Sequence, residues 1–163
     1  MLEERVEQYL VQCERRLRTA TTQTRRYALR QFLGYLESIG ITRWDQCTRT
    51  ILRNYISYRA QEVPDGGVRP LSPESLKSHL TTIRLFLDFA VKMGVLSHNP
   101  AVFVTAPKGK KRLPNTLDVD LVQRILNTPP KTEYEVRDLA TCELFYSTGM
   151  RLAELAALNL SDI

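Results

Sequence analysis

The sequence predicts a mainly α-helical protein, and three observations carry that expectation. Apolar residues recur at three- and four-residue intervals through most of the first hundred positions, the period of a helix that buries one face. Helix-starting residues stand ahead of these runs, Thr48 and Ser72-Pro73 among them, and Gly40 and Gly94 stand where the runs stop. Alternating apolar and polar residues, the mark of strands, are hard to find over residues 1–105. The expected architecture is a bundle of four or five helices over 1–105, a basic linker over 106–115 and a second helical segment over 116–163.

The first helix is read from Leu2 to Leu17, with Val6, Tyr9, Leu10, Cys13 and Leu17 on its apolar face. The Thr-rich stretch Thr19–Thr24 is expected to cap the second, which runs to about Ile39 with Ala28, Leu29, Phe32, Leu36 and Ile39 inward. Thr48 caps a third helix carrying Ile51, Leu52, Tyr55, Ile56 and Tyr58, which ends before the loop signal Pro64-Asp65-Gly66-Gly67. The fourth has the clearest start: Ser72 at the N-cap, Pro73 at the first helical position and Glu74 in the first turn. Its stripe is Leu76, Leu80, Ile83, Leu87 and Ala90/Val91. Asn99-Pro100-Ala101 is expected to start a short final helical turn.

Thr105–Pro114 holds two prolines and four positive charges, the composition of a linker. Beyond it a short helix spans Asp118–Asn127, with Leu121, Val122, Ile125 and Leu126 facing inward. After Pro129-Pro130 a further helix covers Tyr134–Tyr146 and breaks near Thr148-Gly149; a last one covers Arg151–Leu158. Asn159–Ile163 reads as an approach to a strand.

Composition narrows the function classes. The 163 residues are 43% hydrophobic and 25% charged, enough apolar material for a core. No apolar run reaches membrane-spanning length, and the N-terminus lacks the apolar stretch of a signal peptide, so a cytoplasmic location is expected. Cys13, Cys47 and Cys142 match neither a disulfide framework nor a zinc motif and read as buried reduced thiols. His79 and His98 are isolated, and no Gly-rich phosphate loop or nucleophile–histidine pairing is present, so no cofactor, metal or nucleotide is expected. The net charge of +5 is unevenly spread: residues 1–112 hold 19 basic and 10 acidic side chains, residues 113–163 hold 4 and 8. A polyanion-binding front end produces that asymmetry.

Two groups of residues are candidates for chemistry. On the second helix Gln23, Arg26 and Arg30 fall opposite the apolar stripe, with Arg25 beside them; on the fourth, Lys77, Thr81 and Arg84 form a comparable stripe. With Lys108, Lys110, Lys111 and Arg112 of the linker they supply the donors that phosphates and base edges accept. An ordinary solvated helix face is the alternative. The second group is Ser147-Thr148-Gly149-Met150-Arg151-Leu152-Ala153-Glu154-Leu155. Here Gly149 permits a sharp turn, Arg151 enters the first turn of the next helix beside amides that favour an anion, and Glu154 can reach back to hold it. A surface Arg–Glu pair after a glycine turn is the alternative there.

The order of these features resembles the tyrosine recombinases of the phage-integrase family. The resemblance lies in Thr-x-Thr-x-x-Tyr and the helix after it (Thr21–Leu36), in Ser75-Leu76 through Ile83-Arg84-Leu85-Phe86, in Asn99-Pro100-Ala101, and in Pro107-Lys108 and Leu113-Pro114. Its most specific block runs from Arg137-Asp138-Leu139-Ala140 to Phe145-Tyr146-Ser147-Thr148-Gly149-Met150-Arg151-x-x-Glu154-Leu155, with Leu158-Asn159. The likeness is greatest to Xer-type site-specific recombinases, and to their N-terminal half. It implies a SAM-like core-binding bundle over 1–105 that clamps DNA, then the first helices of an incomplete α+β catalytic domain over 116–163.

It also implies roles. Arg151 matches the first catalytic arginine, which binds the scissile phosphate, and Glu154 matches an acidic position that supports it. Loss of one such preorganised donor typically costs ~10²–10³ in rate. Arginines replace a metal, and a covalent phosphotyrosyl link removes any need for ATP. Double-stranded DNA and sister subunits of a tetrameric synapse are the implied partners, with the first and fourth helices as subunit contacts. The family's lysine, His-x-x-Arg pair, second His or Trp and nucleophilic tyrosine cannot be placed before Ile163; Tyr146 precedes Arg151 and is expected to pack in a core. The chain is therefore expected to be inactive alone, as a fragment or a truncated product. A non-catalytic DNA-binding recombinase remnant and a helical protein-interaction module are the rival readings. On the DNA reading, Arg26→Ala or Arg84→Ala weakens binding.

Overall fold

Among the residues described by the computed structural model (2–61, 70–109 and 116–162), no strand occurs. The chain divides into two units, Met1–Lys111 and Arg112–Ile163. The expected Pro64–Gly67 loop, Lys110, Lys111, Arg112, Leu113 and Pro114 lie outside the described residues.

The first unit is built on α1 (Leu2–Glu14), α2 (Thr19–Ser38), α3 (Arg49–Ala60) and α4 (Pro73–Lys92). Acidic Glu3 and Glu4 occupy the first turn of α1, the end where backbone amides favour negative charge. This helix stops before the expected Leu17, because the amides of Arg16 and Leu17 both fold onto the Cys13 carbonyl. Thr19–Thr24 does not cap α2; it forms the opening turns of the helix, and Arg18 stands at the N-cap with no side-chain bond. Thr22, seven residues before Leu29, shares its face and is drawn into the core, which keeps that stretch helical. Ile39 falls past the end of the helix and stays exposed.

Two starts match their sequence signals. The Thr48 hydroxyl accepts from the Ile51 amide, and the Ser72 hydroxyl accepts from the Ser75 amide ahead of Pro73. A short 3-10 turn, Trp44–Gln46, carries the buried Trp44 and had no period to reveal it.

One core joins the four helices. Leu10, Leu29, Phe32, Leu36, Leu52, Tyr55, Ile83, Phe86 and Leu87 are fully enclosed in it. Phe86 of α4 meets Trp44 at 4.7 Å between ring centroids and Tyr9 of α1 at 5.6 Å, while Phe32 of α2 meets Tyr55 of α3 at 4.9 Å. These edge-on and tilted contacts set helix spacing as well as burying area. After α4, Asn99-Pro100-Ala101 makes a turn instead of a helix: the Asn99 side-chain carbonyl accepts from the Ala101 amide at 2.8 Å, and Ala101 and Val104 drop into the core.

The second unit holds α5 (Val119–Leu126), α6 (Glu133–Thr148), a single turn α7 (Leu152–Leu155) and a 3-10 turn at Leu160–Asp162, where an approach to a strand was expected. Thr132 caps α6, and Gly149 ends it in the left-handed region at φ 64°, which other residues rarely adopt. No described residue of this unit is buried. Leu121 and Ile125, expected to face inward, are exposed, and so is Tyr146, expected to pack in a core. Cys13 and Cys47 are buried thiols, as expected; Cys142 is exposed. These departures share one cause: among the described residues of this unit α5 lies against α6, and two short helices enclose too little volume to bury a side chain.

Candidate nucleic-acid interface

The outward faces of α2 and α4 carry the candidate residues, but the structure sorts them into two sets. Gln23, Arg30, Lys77, Thr81 and Lys108 are exposed to solvent. Arg30, Lys77 and Lys108 have no carboxylate partner among the described residues. Thr24 of α2 and Lys77, Ser78 and Thr81 of α4 line one groove between the two helices. On its other flank α4 lines a second groove with the segment after the Asn99 turn, where Lys77 and Thr81 are joined by Thr105 and Lys108. Lys77 and Thr81 thus belong to both. Glu74 lies in both grooves too and is the acidic member of an otherwise basic and neutral surface.

Three candidates have guanidinium groups engaged within the protein, although Arg25 still lines the first groove and Arg84 the second. The Arg25 guanidinium donates to the Tyr9 hydroxyl at 2.7 Å and to the Cys13 sulfur at 3.4 Å, packing on α1. Burial and the Cys13 thiol together push the Tyr9 hydroxyl up to about 12, against the pull of Arg25. Arg26 is claimed by α1 as well, through Glu14 at 2.8 Å and Glu7 at 3.2 Å. Helical phase accounts for both: at 100° per residue position 25 falls within the buried stripe, between Phe32 and Leu36, and position 26 at its edge beyond Leu33, while Arg30 and Gln23 lie farther round. Arg84 donates from Nη2 to the Val104 carbonyl at 2.9 Å and from Nε to the Ala101 carbonyl at 3.3 Å.

Two features were missed in the sequence. Tyr27, between Gln23 and Arg30 on the outward face of α2, is 53% exposed, and its ring meets His79 edge-on at 5.8 Å. An exposed aromatic among donors gives a base or sugar a flat surface, and its i−4 and i+3 neighbours, Gln23 and Arg30, were the available signal. Beneath it lies Arg59 of α3, only 3% exposed, with Nη1 on the Gln31 side chain at 2.8 Å and no carboxylate among the described residues. His79 Nδ1 lies 3.4 Å from the Tyr55 hydroxyl. Burial, assisted by the Arg59 charge, holds the His79 imidazole down to about 4, so this histidine is neutral at physiological pH. Nothing in the local sequence marks Arg59 as buried.

In the second unit Arg151 is the N-cap of α7, ahead of the first turn where it was expected. Glu154 reaches back to it twice, accepting from the Arg151 amide at 2.8 Å and from its guanidinium at 3.1 Å. The amide that was expected to face an anion is thus already engaged by a carboxylate. The Arg151 side chain is 85% exposed. Among the described residues no group of three His, Cys, Asp or Glu is placed to hold a metal ion, and no helix is long and apolar enough to cross a membrane.

The first unit is a helical bundle with Gln, Arg, Lys and Thr donors on its outward faces, and family comparison identifies the bundle. Residues 6–94 match the phage integrase N-terminal SAM-like domain, and the chain belongs to that family. Similar curated proteins are tyrosine recombinases named XerC. That of Shewanella amazonensis is 37% identical over 160 residues, covering 98% of this chain and 50% of the relative. Those of Chromohalobacter salexigens and Vibrio cholerae are 35% and 33% identical, over 97% and 92% of this chain and 51% and 46% of their own. The chain spans about half the length of the curated relatives it matches. No solved structure matches it.

Proposed function

We propose that the first unit binds duplex DNA through the outward faces of α2 and α4, and that the chain is the DNA-gripping part of a site-specific recombinase. The observation that carries this reading is the set of exposed donors without carboxylate partners, Arg30, Lys77 and Lys108, flanked by Gln23 and Thr81. Other exposed cations, such as Arg15, Arg16, Arg53 and Lys92, also have no acidic partner among the described residues; what favours Lys77 and Lys108 is that they line one groove together with Thr81. Lys110, Lys111 and Arg112 extend the charge along the sequence. Xer-type relatives support strand exchange through a phosphotyrosyl link as the activity of the complete protein, together with a cytoplasmic location and synapsis with sister subunits.

In that reaction Arg151 neutralises charge developing on the phosphoryl oxygens, and Glu154 holds its guanidinium in place until DNA arrives. The exposure of Arg151 and its single acidic partner support this, since a guanidinium at the end of a long exposed side chain can turn from carboxylate to phosphate without moving the backbone. Arg151→Ala in the complete protein is expected to abolish cleavage while leaving binding nearly intact; equal loss of both would contradict the role.

The binding experiment is the affinity of the chain for duplex DNA across a range of salt. A surface that neutralises several phosphates gives log K falling with log salt, at about −0.9 per phosphate. A flat response overturns the DNA reading and favours a helical protein-interaction module.

A further inference from the structure

Arg84 faces the candidate surface in the sequence yet spends its guanidinium on two backbone carbonyls. The chain it grips leads directly to the basic segment. From α4 the Asn99 side-chain amide donates back to the Arg84 carbonyl at 3.0 Å and to the Asp88 carboxylate at 2.7 Å. Its other end accepts from the Ala101 amide at 2.8 Å. Arg84 closes the ring from the opposite side, on the carbonyls of Ala101 and Val104. Farther along, Gly109 lies so close to the start of α4 that an added Cβ would stand 2.5 Å from Glu74 Oε1 and 3.1 Å from Pro73 Cβ. The segment is therefore pinned near both ends of the first three turns of α4. The lengths agree: ten helical residues from Glu74 to Arg84 rise about 15 Å, and five extended residues from Val104 to Gly109 cover about 17 Å. The strap has almost no slack.

We propose that Arg84 and Asn99 form a latch that lays residues 100–109 along α4 and fixes Lys108 beside Lys77 and Thr81, making Arg84 a positioning residue for the DNA-binding surface instead of a phosphate contact. This rests on the DNA-binding reading. Lys77, Arg84 and Lys108 line one groove, with Glu74 as its acidic member, and cations placed there by a taut strap form a preorganised anion site whose ordering entropy is lost on folding and not on binding. A lysine cannot replace Arg84 in this role, because one ammonium cannot serve two carbonyls from the edge of a planar fork.

The test uses the full chain with R84K, N99A, G109A and A101P. Two readouts are needed: amide hydrogen exchange over residues 100–109, and affinity for a short random-sequence duplex at several salt concentrations. The latch predicts faster exchange at Ala101 and Val104 in R84K and N99A with the α2 amides unchanged. It also predicts about tenfold weaker DNA binding in both, and a salt slope shallower by about 0.9, one phosphate. A direct phosphate contact predicts that N99A, which removes no charge, binds like the wild type, and that R84K nearly does; that result overturns the proposal. Unchanged exchange in R84K and N99A overturns it as well. Gly109 meets the tip of the Glu74 side chain and Pro73 Cβ, so G109A is a milder change that leaves Arg84 and Asn99 intact. If R84K and N99A lose their core, A101P, which removes the amide that Asn99 accepts from, carries the same prediction for exchange at Val104 and for binding. If the wild-type chain fails to bind DNA, the DNA reading falls and the positioning role with it, whereas exchange alone still decides whether the latch exists.

Discussion

Replacing His79 by asparagine should remove a pH dependence that the wild-type bundle carries. The imidazole is 5% exposed, packed among Tyr27 of α2 and Tyr55 and Arg59 of α3, with no carboxylate bonded to it. Burial, then the Arg59 charge, brings it down to about 4 from an ordinary 6.5. A histidine depressed on folding favours the folded state in its neutral form. Its contribution is complete above about pH 6.5 and is lost as pH falls through 4, because the unfolded chain takes up the proton first. A difference of about 2.5 units corresponds to about 3 kcal/mol in total. About 2 kcal/mol of that is gone by pH 5.

The buried Trp44, the single tryptophan in the sequence, supplies the fluorescence signal for urea unfolding of the bundle. Between pH 7.5 and pH 5 the wild-type midpoint should fall by about 1–2 M urea more than that of His79→Asn, at a slope of about 1–2 kcal/mol/M. Asparagine keeps a polar atom near the Tyr55 hydroxyl and cannot ionise, so carboxylate titration common to both proteins cancels in the difference. Parallel midpoints for the two proteins across that range would refute the reasoning, for then His79 does not titrate against a buried neighbourhood.

Two further outcomes follow from the packing. Phe86→Ala removes the ring that ties α1 and the Trp44 turn to α4 and should destabilise the bundle by about 3–5 kcal/mol in denaturant titration, with a shift in Trp44 emission. Arg26→Ala and Arg30→Ala should separate. The first frees Glu7 and Glu14, costs about 0.5–1 kcal/mol of stability and leaves DNA affinity nearly unchanged. The second leaves stability intact and weakens DNA binding with a shallower salt slope; equal effects on affinity would contradict the division of α2 into a DNA face and an α1 face.

The latch, the Arg59 centre and the two fates of the α2 arginines share a physical basis. A guanidinium offers five donors, and which acceptors it meets depends on neighbours distant in sequence. Arg26 finds acids 12 and 19 residues away, Arg84 finds carbonyls 17 and 20 residues away, and Arg59 finds a glutamine 28 residues away. Local spacing placed all three on helices and said nothing of these partners. Gln23, Arg30, Lys77, Thr81 and Lys108 needed no partner, so spacing alone put them at the surface.

Legible from residue spacing alone were the helices of the bundle, their caps at Thr48 and Ser72, the buried stripes through Leu29, Phe32, Leu36, Leu76, Ile83 and Leu87, and the Gly149 turn before Arg151. Each depends on interactions within a few residues, where period and capping chemistry operate. Packing across the bundle settled which guanidinium groups find partners, that Thr19–Thr24 is helix, that Trp44 closes the core between α2 and α4, and that Arg84 holds the carbonyls of Ala101 and Val104. These depend on which surfaces meet across the bundle, and helical periodicity marks a buried face without naming the face that covers it.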